Sequence, residues 1–193
     1  MLPSGNDAAM CLAESFGTYI YMQSDDFKLK VKRNPEFANY RPKNAVRYFL
    51  NLMNKTAVEL ELTGTQYENP HGLMCKTNRS TAADIAKLAS KAMKLEDFRE
   101  IVNQKTYTCV IEQANQVERE VTWENTNKLL REGWEGVKTG NTPSAGPCFA
   151  GYVQKDSQNY LAVVLGCDSQ ESRFTDCKKL VNWVHSNRKF LKN

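Results

Sequence analysis

Apolar positions recur at helical spacing through the first half of the chain and at strand spacing in much of the second. After the polar turn Ser4-Gly5-Asn6-Asp7, residues Ala9, Leu12, Ala13 and Phe16 share one face of a short helix that Gly17 is expected to end. Phe27, Leu29 and Val31 alternate with Lys28, Lys30 and Lys32, which predicts a short edge strand with one apolar face. From Pro42 onward, Val46, Phe49, Leu50, Met53, Ala57 and Leu60 mark a second helix, and Asn69-Pro70-His71-Gly72 marks a turn. Thr81 and Asp84 have capping-box spacing ahead of the stripe Ile85, Leu88, Ala89 and Ala92.

The last third changes period. Tyr107–Ile111 and Val117–Trp123 flank a polar connection and predict a hairpin. Trp134–Thr139, Cys148–Val153 and Tyr160–Gly166 predict three further strands. A closing helix carries Phe174, Cys177, Leu180, Val181, Val184 and Phe190. Helices first, then a meander of strands, then a helix give an α+β class, with helices packed on an antiparallel sheet.

Composition narrows the function more than the fold. The 193 residues make one ordinary domain, 1–193, with 41% hydrophobic residues and no apolar run long enough for a membrane span. The opening MLPSGNDAAM lacks the basic and apolar regions of a signal peptide. A net charge of +4 is too weak a bias to indicate nucleic acid. Most of it sits in 21–44, where Lys28, Lys30, Lys32, Arg33, Arg41 and Lys43 face Asp25, Asp26 and Glu36. That stretch reads as a solvated loop or hairpin, with a docking surface as the alternative. Cys11, Cys75, Cys109, Cys148, Cys167 and Cys177 show no CxxC spacing, so no structural zinc site is expected. Up to three disulfides or a set of buried free thiols explain the count equally well.

Two short motifs carry candidate chemistry. Gly136-Val137-Lys138-Thr139-Gly140 is not a phosphate-binding P-loop, because Val137 separates glycine from lysine. On a strand, Lys-Thr-Gly places a cation, a hydroxyl and a Cβ-free backbone side by side, where an extended substrate can lie. Ser4-Gly5-Asn6 taken alone reads as a helix cap. Together they are two of the three elements of penicillin-recognising enzymes.

SGNDAAMCLAE, FLNLMNKTAVEL, YENPHGLM, RSTAADIAKLA, GWEGVKTGNTPSAG and SRFTDCKKLVNW follow one another in an order that resembles the D-alanyl-D-alanine carboxypeptidases, the low-molecular-mass penicillin-binding proteins of serine peptidase family S11. The resemblance covers nearly everything except 21–44, which reads as an insertion. It implies a β-lactamase/transpeptidase-like fold and an extracytoplasmic serine acyl-transfer enzyme that uses no metal and no cofactor. Its ligands would be a peptide ending in D-Ala-D-Ala or a β-lactam. Carried over by motif, Ser4 relays a proton and Asn6 binds the substrate amide. Lys138 raises the positive potential, and Thr139, beside Gly140, binds the substrate carboxylate. The N–H of Asn141 supplies half of an oxyanion hole, and Arg173 is the carboxylate-binding arginine. The Ser4 turn and the Lys138 strand are then expected to face one cleft. Without the resemblance, Lys138 reads as a solvated strand residue and Arg173 as a surface charge. His71 reads as a turn residue, and His185 has no partner motif.

The third family element, S-x-x-K, normally precedes S-x-N by several dozen residues, but only Met1-Leu2-Pro3 precede Ser4 here. Ser186-Asn187-Arg188-Lys189 fits the pattern formally but in the wrong order. The sequence is therefore expected to be the larger, C-terminal part of such a domain. The nucleophile helix and the N-terminal strands would be missing, leaving Tyr160–Gly166 as a sheet edge. The alternative is a non-catalytic descendant that binds peptidoglycan-like peptides or a protein partner.

Overall fold

The structure, a computed structural model, describes residues 1–39, 42–112, 114 and 117–188. Arg41, Lys189 and Phe190 of the sequence reading lie outside the described residues. The chain divides into two compact units, Gly5–Ser80 and a second formed by Met1–Ser4 with Thr81 onward.

Gly5–Ser80 is helical. Its first helix, α1 (Asn6–Gln23), runs straight through Gly17 and packs on α3 (Ala45–Glu59). Gly17 is there for contact, not termination: a Cβ on it would lie 1.9 Å from the carbonyl oxygen of Ala45. Between the two, Asp25–Arg33 forms helix α2 instead of the expected strand, and Pro35–Asn39 a 3₁₀ turn instead of an open loop. Local signals outweigh the alternation in α2. Ser24 Oγ accepts from Phe27 N–H at the N-terminus, and Asp25 and Asp26 occupy the first turn. Lys30, Lys32 and Arg33 occupy the last, so both ends complement the helix dipole. Asp26 and Lys30 add an i,i+4 ion pair at 2.8 Å. Only Phe27 of this helix is buried, packed on Tyr21, so the pattern never had to serve a sheet face. The Asn69–Gly72 turn forms as expected, with Asn69 Oδ1 accepting from Gly72 N–H at 2.7 Å and His71 Nδ1 from Leu73 N–H.

The second unit is a three-layer arrangement. Strands β3 (Gly136–Thr142), β4 (Gly146–Lys155) and β5 (Gln158–Val164) form an antiparallel sheet in the order β3-β4-β5, so β3 and β5 are its edges. Helix α6 (Ser172–Asn187) covers one face, burying Phe174, Cys177 and Val181 against Phe149, Leu129 and Trp134. Helices α4 (Ala82–Ala92) and α5 (Glu96–Asn103) cover the other, where Met93 and Val102 meet Val137 and Ala150. Consecutive residues Phe149 and Ala150 thus serve opposite cores, the period of two that a sheet covered on both sides demands. Gly151 leaves room for the rings of Trp134 and Phe149, whose atoms would come within 2.6 Å of a Cβ there. Thr81 Oγ1 caps α4 by accepting from Asp84 N–H. The hairpin of β1 (Thr106–Glu112) and β2 (Glu118–Glu124) pairs as expected. Among the described residues all six cysteines are free thiols, and no helix is long and apolar enough to cross a membrane.

Candidate active site

The second unit gathers most of the candidate residues around edge strand β3. Lys138 Nζ donates to Ser4 Oγ at 2.7 Å and to the Thr139 carbonyl at 2.6 Å. Ser4, with φ +59°, therefore does not cap α1; that position belongs to Gly5, which makes no side-chain cap bond. Burial pushes the Lys138 ammonium from its ordinary 10.5 down to about 8, and the positive charge of Arg173 acts in the same direction.

Arg173 is not a surface charge. It lies in the first turn of α6, only 6% exposed, where Nη1 donates to the Gly140 carbonyl at 3.2 Å and Nη2 to Gln170 Oε1 at 3.1 Å. Its buried Nε has no hydrogen-bond partner among the described residues. Desolvation lowers its pKa, while Glu171 and the thiols of Cys148 and Cys167 oppose that shift. Among the described residues, neither Lys138 nor Arg173 forms an ion pair with a carboxylate. Two cations brought together at a partly desolvated edge strand create a local demand for an anion.

Thr139, 6% exposed, shares a 2.6 Å hydroxyl–hydroxyl hydrogen bond with Thr126. Gly140 pairs with Cys148 in the sheet, and Asn141 is exposed opposite Pro147 near the end of β3. Asn6 is the exposed first residue of α1, in the helical unit. Ser186 and Asn187 of the out-of-order S-x-x-K sit at the far end of α6.

The sequence reading missed the loop Asn125-Thr126-Asn127. Asn127, 2% exposed, donates from Nδ2 to the Gly136 carbonyl and accepts from Leu129 N–H at Oδ1. Asn125 Nδ2 donates to the carbonyls of Val102 and Gln104 at the end of α5. Two asparagines around a threonine, just ahead of the apolar pair Leu129-Leu130, were the available signal, since such side chains build turns by bonding nearby backbone.

Edge strand β3 thus bears Lys-Thr-Gly with a serine hydroxyl on its lysine and the first turn of α6 packed behind it, an arrangement able to receive an extended anionic ligand. The profile of the D-alanyl-D-alanine carboxypeptidase family, peptidase S11, matches residues 43–169, and the chain belongs to that family. It is 31% identical over 186 residues to a D-alanyl-D-alanine carboxypeptidase of Streptomyces sp. (strain K15), covering 95% of this chain and 57% of that one. It is 28% identical over 187 residues to DacF, a D-alanyl-D-alanine carboxypeptidase of Bacillus subtilis (strain 168), covering 96% and 40% respectively. The crystal structure of the Streptomyces K15 DD-transpeptidase superposes with a TM-score of 0.80 at 33% identity, over 96% of this chain and 64% of that one. The chain thus spans about half the length of these two curated relatives.

Proposed function

We propose that this chain carries the carboxylate-binding side of a serine D-Ala-D-Ala carboxypeptidase domain and that these 193 residues by themselves do not acylate. The observation that supports this reading is the 2.7 Å hydrogen bond from Lys138 to Ser4, which joins the K-T-G and S-x-N motifs. The terminal carboxylate of the peptide is received by the Thr139 hydroxyl in the field of Lys138 and Arg173. Arg173 acts from behind the strand, holding Gly140 through its carbonyl and contributing charge. Ser4 Oγ, accepting from the Lys138 ammonium, is oriented to pass a proton toward the leaving amine, and Lys138 with a pKa of about 8 can replenish it near neutral pH. The backbone N–H of Asn141 is one oxyanion donor. The role of Asn6 on the substrate amide rests on the family motif.

The nucleophile and the second oxyanion donor would both come from an S-x-x-K serine, and no such motif precedes Ser4 in this sequence. One oxyanion donor is worth ~2.7–4 kcal/mol in other acyl-transfer enzymes. Loss of a serine nucleophile costs about 10⁶ in kcat in a well-studied hydrolase. The purified chain is therefore expected to bind a D-Ala-D-Ala-terminated peptide without turnover and to remain unlabelled by a fluorescent penicillin. A covalent penicillin adduct would overturn the claim of inactivity, and failure to bind the peptide would overturn the carboxylate site.

A further inference from the structure

We propose that Thr126 is a positioning residue of the carboxylate site, acting by donating its hydroxyl proton to Thr139. This rests on the function proposed above and follows from proton counting. A carboxylate only accepts hydrogen bonds, and a threonine hydroxyl has a single proton. For Thr139 to bind a carboxylate it must spend that proton on the ligand. In its 2.6 Å bond with Thr126 it must then be the acceptor. Thr126 thereby fixes which way the Thr139 proton points, and a chain of two hydroxyls ending on an anion strengthens both bonds.

The loop is built to hold this direction. Asn125 ties it to the end of α5, and Asn127 ties it to the Gly136 carbonyl at the start of β3. The Thr126 N–H donates to the Leu2 carbonyl at 3.2 Å, two residues before Ser4. One residue therefore ties the Leu2 backbone leading into Ser4, through its N–H, to Thr139, through its hydroxyl. Nothing in the function proposed above requires a second threonine there.

The test is calorimetric binding of N-acetyl-D-alanyl-D-alanine and of its C-terminal amide to the unmodified chain, T126V and T126S. Thr126 is exposed and valine keeps its backbone N–H, so the variant is expected to fold as the parent does. T126V should lose up to about tenfold in affinity for the free carboxylate, the upper end of the worth of one neutral hydrogen bond. It should change little toward the amide, which can donate as well as accept and so tolerates either hydroxyl direction. T126S should restore carboxylate binding. Equal loss on both peptides, no loss on either, or no rescue by serine would overturn the role of Thr126 while leaving the carboxylate site standing. If the unmodified chain binds neither peptide, the carboxylate reading falls and takes this role with it.

Discussion

Asn127 shows how much of the site is held by a side chain that touches no substrate. Its amide reaches the Gly136 carbonyl at 3.0 Å, and its Oδ1 accepts from Leu129 N–H at 3.1 Å, both in the interior. Removing the side chain leaves a buried donor and a buried acceptor unpaired, each costing ~1–3 kcal/mol. N127A is therefore expected to lose at least about 2 kcal/mol in urea unfolding. It should also weaken peptide binding, because β3 loses the anchor at its first residue. Stability unchanged within error would show that water takes over both bonds and that the loop does not brace the strand. Arg173 belongs to the same class of support. The family resemblance could suggest an arginine near a carboxylate, but not that the guanidinium would be buried against the Gly140 carbonyl, because that depends on where α6 packs.

Among the elements, those whose apolar period serves a shared core were readable and those decided by local chemistry were not. Strands β3, β4 and β5 and helix α6 follow their patterns because both sheet faces are buried, and a one-residue slip would exchange the two cores. Trp134 falls just outside β3, since it closes the 3₁₀ turn Lys128–Glu132 by donating its N–H to the Leu129 carbonyl. Helix α2 defeated the alternation because its caps and terminal charges agree on helix while a single phenylalanine is buried. Helix α5 had its stripe in Phe98, Ile101 and Val102 but no side-chain cap at Leu95 to announce it. Gly17 is the sharpest case, because glycine as a helix stop and glycine as a contact site look identical in sequence. The two meanings predict opposite effects for G17A. In an open helix, alanine gains about 0.5–1 kcal/mol. Here its Cβ would meet the Ala45 carbonyl carbon at 2.5 Å and the oxygen at 1.9 Å, so α1 and α3 must separate. Overpacking of that kind costs about 1–3 kcal/mol, and the backbone cannot give as a side chain would. G17A should lower the urea midpoint, and a raised midpoint would contradict the α1–α3 packing.

For the molecule as a whole, the demand for an anion at Lys138 must appear in its stability. The Lys138 ammonium is desolvated in the folded chain and hydrated in the unfolded one, so its folded pKa of about 8 lies below the ordinary 10.5. Below pH 8 both states hold the proton, and the fold bears the full cost of burying the charge. Between about 8 and 10.5 the folded chain has lost the proton while the unfolded chain keeps it. The unfolded state then binds more protons, and the contribution of Lys138 to stability rises with pH. Above 10.5 the cost is gone. Cys177 works in the opposite sense, since burial pushes its thiol up to about 12 and withholds an ionisation that the unfolded chain gains from about 9 upward. The two trends overlap in the parent, so Lys138 is isolated by difference. K138M, which fills similar volume without a charge, is expected to be more stable than the parent at pH 7. Most of that advantage should disappear by pH 10, when the parent lysine has become neutral. The same substitution should abolish binding of N-acetyl-D-alanyl-D-alanine, because the anion loses the cation placed beside Thr139. Paired unfolding curves at pH 7 and pH 10 with a binding titration read both consequences. A K138M chain no more stable than the parent at pH 7 would mean that the ammonium is already satisfied by Ser4 and the Thr139 carbonyl. In that case the fold does not hold a charge in waiting for a carboxylate.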